Sequence, residues 1–202
     1  MKQDVELLRR RYGGHEPGLL GAPQSYAVLC PLIERSDGLH LLFEVRAKEI
    51  RQGGEVCFPG GRVEPGETAE QCALRETAEE LSIPPDAVTL LGRTDFICNQ
   101  RGFLLRPVIG LVSPAGYEAL CPARAEVAEV FTAPLDFFRG QPPEIYTYDL
   151  VPRVPENFPY EAVGIPRDYP WSGGRVEVPL WHFEGRAIWG MTARIVQELI
   201  RK

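Results

Sequence analysis

Gly60-Gly61-Arg62-Val63-Glu64-Pro65-Gly66-Glu67, running on to Arg75-Glu76-Thr77-Ala78-Glu79-Glu80, joins a glycine turn to a stretch dense in carboxylates. From Thr68 to Leu81 the chain is rich in Ala and Glu and holds neither Gly nor Pro. That composition predicts one helix, stopped by Pro84-Pro85. At about 100° per residue, Glu79 and Glu80 fall about 60° and about 40° to either side of Glu76. Ala69, Cys72 and Ala73 share this arc, while Leu74, Ala78 and Leu81 gather on the opposite side as an apolar face for packing.

Carboxylates packed this closely repel one another unless a cation neutralises them. Hard oxygen donors suit Mg²⁺ or Mn²⁺, which bind through a few carboxylates together with substrate phosphates. The preceding Phe58-Pro59-Gly60-Gly61 turn offers backbone groups at the helix entrance, where a further ligand or a phosphate fits. Alone, an Arg-Glu-x-x-Glu-Glu run reads more simply as a solvated acidic face with Arg75–Glu79 as an i,i+4 pair. The glycine turn and the placement of Glu67 shift the balance toward a metal site.

Gly61-x5-Glu67-x7-Arg75-Glu76-Thr77-Ala78-Glu79-Glu80-Leu81-Ser82-Ile83 resembles the Nudix box, G-x5-E-x7-R-E-U-x-E-E-x-G-U with U aliphatic. Every charged position matches. Thr77 stands where an aliphatic residue is usual, and Ser82 where glycine is usual. The resemblance implies an α/β fold, a Nudix-type α/β/α sandwich with a mixed β-sheet carrying the box as a loop and helix. It also implies an enzyme that hydrolyses a nucleoside diphosphate linked to another moiety, with Mg²⁺ or Mn²⁺ as cofactor. Carried over by position, Glu76, Glu79 and Glu80 are the expected metal ligands, with a backbone carbonyl from Gly60. Arg75 is expected to orient the carboxylates and Glu67 to brace the loop–helix junction. Such metals neutralise a pyrophosphate and lower the pKa of an attacking water. The general base stays open among Glu76, Glu79 and Glu126.

The flanks narrow the substrate. Leu41, Leu42, Arg46, Ala47, Arg51, Gly54 and the Phe58–Gly61 run are similar to the segment before the box in coenzyme A diphosphatases. The spacing differs by one residue on either side of the Arg46–Arg51 pair. Ile188-Trp189-Gly190-Met191-Thr192-Ala193 resembles an element near the end of the same enzymes. The similarity runs over most of residues 25–201 and implies hydrolysis of coenzyme A or an acyl-CoA, giving 3′-phosphoadenosine 5′-phosphate and (acyl-)4′-phosphopantetheine. A substrate with several phosphates needs cations, and Arg46, Arg51 and Arg62, with the backbone of Gly61, are the candidates for binding it. The alternatives are a Nudix pyrophosphatase for ADP-ribose, a dinucleotide or a nucleotide sugar, and, more remotely, an inactive Nudix-like binding module.

Farther out, 202 residues, 44% of them apolar and 25% charged, describe a folded chain rather than a disordered or fibrous one. The formal net charge of −6 argues against a nucleic-acid partner and leaves anion binding to local arginines. Five cysteines without a CxxC pair suggest reduced thiols, and the charged start and lack of a long apolar run point to a cytoplasmic chain with no membrane partner. A homodimer stays open. The expected organisation is a single domain over 1–202, with an N-terminal helix at about 3–12 and a Gly/Pro stretch at 17–23. Strands follow over 25–34 and 39–46 and again over 88–98 and 103–112, with a strand and a short helix over 126–139. A Pro- and aromatic-rich lid or loop covers about 141–181, in which Tyr160 or Trp181 could stack an adenine, and a C-terminal helix spans about 192–201.

Overall fold

Ser25 to Glu34 alternates little and is apolar almost throughout, which is the pattern of a strand covered on both faces. In the computed structural model, which describes residues 2–15, 19–21, 24–99 and 102–201, it is the central strand. In chain order the elements are α1 (Lys2–Tyr12), β1 (Gln24–Arg35), β2 (Gly38–Arg46), β3 (Val56–Cys57), β4 (Gly60–Arg62) and α2 (Ala69–Leu81). β5 (Val88–Arg93), β6 (Ile97–Cys98), β7 (Phe103–Val112), α3 (Pro114–Glu118), β8 (Val127–Pro134) and α4 (Leu135–Gly140) follow. The chain closes with β9 (Glu144–Leu150), α5 (Tyr160–Val163), β10 (Gly174–Phe183), β11 (Arg186–Trp189) and α6 (Gly190–Ile200). Most of the Gly/Pro stretch at 17–23 lies outside the described residues.

β1 pairs parallel with β7 from Gln24↔Phe103 to Ile33↔Val112, and antiparallel with β2 at one end and β4 at the other. β5 and β6 extend the sheet beyond β7, and β3 and β8 extend it beyond β2. Prolines sit where the ladders have gaps. Pro31 lies between the stretches of β1 paired with β4 and with β2, and Pro107 lies between the stretches of β7 paired with β6 and with β5. A missing N–H is tolerated at such points.

The sheet separates two cores. On one face Ala27, Leu29, Ile33, Leu42, Val108 and Val112 pack against Ala69, Cys72, Ala73 and Leu81 of α2. On the other, Cys30, Leu32, Leu41, Phe43 and Leu105 meet Phe138 of α4, Trp181 and Ile188, and Ala193, Ile195 and Val196 of α6. Helices on both faces of a mixed sheet give the α/β/α sandwich expected from the sequence. Among the described residues no helix is long and apolar enough to cross a membrane.

Three expectations need correction. The helix packs only at its margin through Leu74, and Ala78 is half-buried; its buried side runs through Cys72, Ala73, Thr77, Glu80 and Leu81. Only small residues fit so close to the sheet, and Thr77 is accommodated by returning its hydroxyl to the Ala73 carbonyl, 2.6 Å away. The end of the helix at Leu81 agrees with the sequence, and Ser82 caps it ahead of the prolines. Ser82 adopts the left-handed conformation, φ 60°, and donates its hydroxyl to the Cys121 carbonyl at 2.9 Å.

The segment 141–181 is not one irregular lid. β9 and β10 pair over Glu144–Leu150 and Gly174–Leu180, and β11 completes a second, three-stranded sheet. Pro179 is admitted because it lies one residue before the β10–β11 pairing begins at Leu180. The connection between β9 and β10 holds only the short helix α5, and there Phe158, Tyr160, Tyr169 and Trp171 pack edge to face. Trp181 is buried against Phe138 and gives its indole N–H to the Gln141 carbonyl, so it does not offer a face to adenine.

Candidate active site

The start of α2 is set by its own side chains. Thr68 accepts from the Gln71 amide at 3.2 Å while Gln71 accepts from the Thr68 amide at 2.8 Å, a closed capping box. Directly before it, the Gly60-Gly61 stretch read as a turn is the short strand β4, with Gly61 opposite Ala27 and Gly60 opposite Val28. The missing side chain matters at both. A Cβ on Gly60 would run into the Ala27 carbonyl, and one on Gly61 into the Glu76 carboxylate. β4 thus lies close on β1 at Gly60 and leaves room for the Glu76 carboxylate at Gly61.

Arg75 organises the carboxylates. Its Nε donates to Glu67 Oε1 at 2.9 Å and its Nη2 to Glu67 Oε2 at 3.2 Å; its Nη1 reaches Glu76 Oε1 at 2.9 Å and Glu79 Oε2 at 3.2 Å. Nη2 also meets the Arg62 carbonyl at 3.3 Å, tying the helix to β4. Glu67 additionally accepts from the Glu64 amide at 3.0 Å. These bonds hold its carboxyl below the usual range.

The three helix carboxylates occupy different depths. Glu79 is exposed, with 60% of its side chain in solvent. Glu76 is half-buried, and its pKa rises through lost hydration, opposed by Arg75. Glu80 is 4% exposed and accepts from the Gly60 amide at 2.8 Å. The Gly60 N–H is thereby engaged, and this bond leaves the role of the Gly60 carbonyl untouched. Burial pushes the Glu80 carboxyl up to about 8, and the charge of Glu44 adds to the rise.

Glu44 is the residue that sequence reading missed. It sits in β2, 1% exposed, and burial pushes its carboxyl up to about 7. Its Oε1 accepts from the Cys57 thiol at 3.2 Å, across the register pair Glu44↔Cys57. Within Leu39-His40-Leu41-Leu42-Phe43-Glu44-Val45-Arg46 the available signal was a lone acid inside an apolar run. Glu126 is exposed on the loop before β8, and its charge acts on Glu44, Glu76 and Glu80. The Ala47 amide anchors that loop on the Glu126 carbonyl at 2.7 Å.

The candidate substrate arginines are only partly gathered. Arg46 and Arg51 share one tight loop, closed by Arg46 Nε on the Arg51 carbonyl at 3.2 Å and by the Gly54 amide on the Arg46 carbonyl at 2.9 Å. Arg51 is exposed there. Arg62 is exposed on β4, outside that loop.

Among the described residues, no three Asp, Glu, His or Cys side chains are grouped tightly enough to form a ready-made metal cage. The reason is local, because Arg75 and the Gly60 amide hold the carboxylate oxygens that would otherwise converge. The donor chemistry nonetheless fits a hard divalent cation, being carboxylate oxygen throughout, with a buried Glu44 oxygen that has no hydrogen-bond partner.

The NUDIX domain profile matches residues 23–147, which hold this entire constellation. The chain belongs to the Nudix family. Nudix hydrolases generally act with divalent metals such as Mg²⁺ or Mn²⁺. An uncharacterized Nudix hydrolase, NudL, of Yersinia enterocolitica is 31% identical over 199 residues, covering 93% of this chain and 86% of that one. The mouse peroxisomal coenzyme A diphosphatase NUDT7 is 37% identical over 123 residues, covering 60% of this chain. The Nudix chain thus spans half the length of the mouse protein. Among solved structures, a Nudix hydrolase from M. smegmatis, RenU, superposes with a TM-score of 0.50 at 25% identity, covering 58% of this chain and 74% of that one.

Proposed function

We propose that this Nudix hydrolase cleaves the pyrophosphate bond of coenzyme A or an acyl-CoA, working as a single domain with Mg²⁺ or Mn²⁺. The observation that carries the reading is the Arg46–Gly54 loop. It presents an exposed Arg51 next to the strand that bears Glu44, where a second, ribose-linked phosphate would need a cation. The printed activity of the mouse relative supports the same substrate class.

In this reading Glu76, Glu79 and Glu80 hold the cation. Arg75 keeps Glu76 and Glu79 aligned, and Glu67 fixes Arg75. A divalent cation held there supplies charge neutralisation for the pyrophosphate and an activated water. Glu80 is committed to the Gly60 amide, and Glu76 and Glu79 to Arg75. Glu126, exposed and within electrostatic reach of the cluster, is therefore assigned as the general base. Arg51 and Arg46 bind the ribose phosphate, and Arg62 and the Gly61 backbone bind the pyrophosphate end.

The test is hydrolysis of coenzyme A, dephospho-coenzyme A and ADP-ribose side by side, with Mg²⁺, with Mn²⁺ and with EDTA. Preference for coenzyme A over its dephospho form, lost on Arg51→Ala, is the expected result. Equal or better turnover of ADP-ribose would overturn the substrate assignment and leave the Nudix chemistry in place.

A further inference from the structure

Alternation along β2 fixes where Glu44 points. Leu41 and Phe43 belong to the core on the α4 and α6 side, and Leu42 to the core packed against α2. Glu44, two residues beyond Leu42, therefore faces the carboxylate helix. Its charge is felt there, since it raises Glu80 and is itself acted on by Glu76 and Glu126.

The two oxygens of Glu44 are treated differently. Oε1 is oriented by the Cys57 thiol at 3.2 Å. Oε2 is buried with no hydrogen-bond partner. A carboxylate that served packing alone would have both oxygens satisfied, because a buried charge without partners is expensive. Arg46, two residues along the same strand, acts on Glu44 through its charge but spends its Nε on the Arg51 carbonyl. Cys57 is no nucleophile, since burial and the neighbouring Glu44 charge push its thiol far up. What remains is an oxygen held without a partner and aimed toward other carboxylates.

We propose that Glu44 is a further ligand of the divalent cation bound by the helix carboxylates, reaching it from β2 through Oε2 while the Cys57 S–H holds Oε1. The inference rests on the metal-dependent reading above. It makes the site two-sided, with α2 supplying ligands from one layer and the sheet supplying one from beneath.

Mn²⁺ binding, followed by the electron paramagnetic resonance signal of the free ion, tests this without turnover. Wild type, Glu80→Gln and Glu44→Gln are compared, each also melted in EDTA and in saturating Mn²⁺. Glu44→Gln is expected to weaken Mn²⁺ binding about tenfold or more, the scale on which metal-site support is felt. In EDTA it should melt no lower than wild type, because an unpaired buried charge has been removed, and its stabilisation by Mn²⁺ should shrink. Mn²⁺ affinity equal to wild type in Glu44→Gln, with Glu80→Gln impaired, overturns the role of Glu44 alone. Absence of Mn²⁺ binding by wild type overturns the metal reading itself. A readout on the unaltered protein is the infrared S–H stretch of Cys57, assigned by its loss in Cys57→Ala. It should shift when Mg²⁺ is added, and an unmoved band overturns the proposal.

Discussion

Arg75 and Glu67 meet fork to fork, Nε on Oε1 at 2.9 Å and Nη2 on Oε2 at 3.2 Å, with the remaining Nη1 left to span Glu76 and Glu79. One guanidinium thus anchors to a brace and aligns two further carboxylates. Lysine carries the charge but not the planar fork. Arg75→Lys should therefore lower stability by about 1–3 kcal/mol, the range for hydrogen bonds to charged groups, and cut turnover more than Glu67→Gln does. Denaturant melts with kcat measured on the same samples check both parts.

The two glycines of β4 should fail in different ways. At Gly60 a Cβ meets backbone, the Ala27 carbonyl, and φ is 155°. Gly60→Ala should cost stability by about 1–3 kcal/mol, as strained backbone positions do. At Gly61 the Cβ meets the end of the Glu76 side chain, which can move. Gly61→Ala should melt close to wild type yet bind Mn²⁺ poorly, because Glu76 has been displaced. Thermal melts paired with Mn²⁺ titration separate the two.

Glu44 and Glu80 titrate at about 7 and about 8 in the folded chain, against 4.5 in an unfolded one. Between those values the native state binds more protons than the unfolded state, so stability falls as pH rises. In EDTA the melting temperature should be a few degrees lower at about pH 8 than at about pH 6. Saturating Mg²⁺ should flatten or reverse that slope, since the cation replaces the protons. A slope unchanged by Mg²⁺ would separate these carboxylates from the metal.

Glu80→Gln keeps an oxygen for the Gly60 amide but removes the charge. Turnover should drop about a hundredfold or more, with the circular dichroism spectrum unchanged. In contrast, Trp181→Ala should cost about 3–5 kcal/mol through the cavity it leaves against Phe138. Its effect on the metal affinity of molecules that remain folded should be small.

The box was legible because its information lies in charge at fixed spacing, and spacing along a helix fixes direction. Glu76, Glu79 and Glu80 could be placed on one arc, although which part of that arc faces the sheet could not, because Cys72, Ala73 and Thr77 carry little hydrophobic signal. Glu44 stayed hidden for a different reason. In a strand a lone acid reads as the wet face, and only the sheet order, with α2 lying over Leu42, turns that face inward. The second sheet was obscured by Pro179, whose cost disappears where β11 has not yet begun to pair. The bond from the Gly60 amide to Glu80 was not legible either, because spacing says nothing of which backbone group a side chain meets.

The long parallel pairing of β1 with β7 has a consequence for the order in which the protein is made. The box helix is the crossover inside that pairing, so Gly60 to Glu80 leave the ribosome before the strand that locks β1 has been synthesised. Until Phe103–Val112 arrives, β1 lacks its longest partner, and the sheet on which α2 lies is unfinished. Contacts between segments so distant in the chain close slowly. The acidic centre is thus assembled late, and a nascent chain stalled before residue 103 carries every box residue without the layer that confines them.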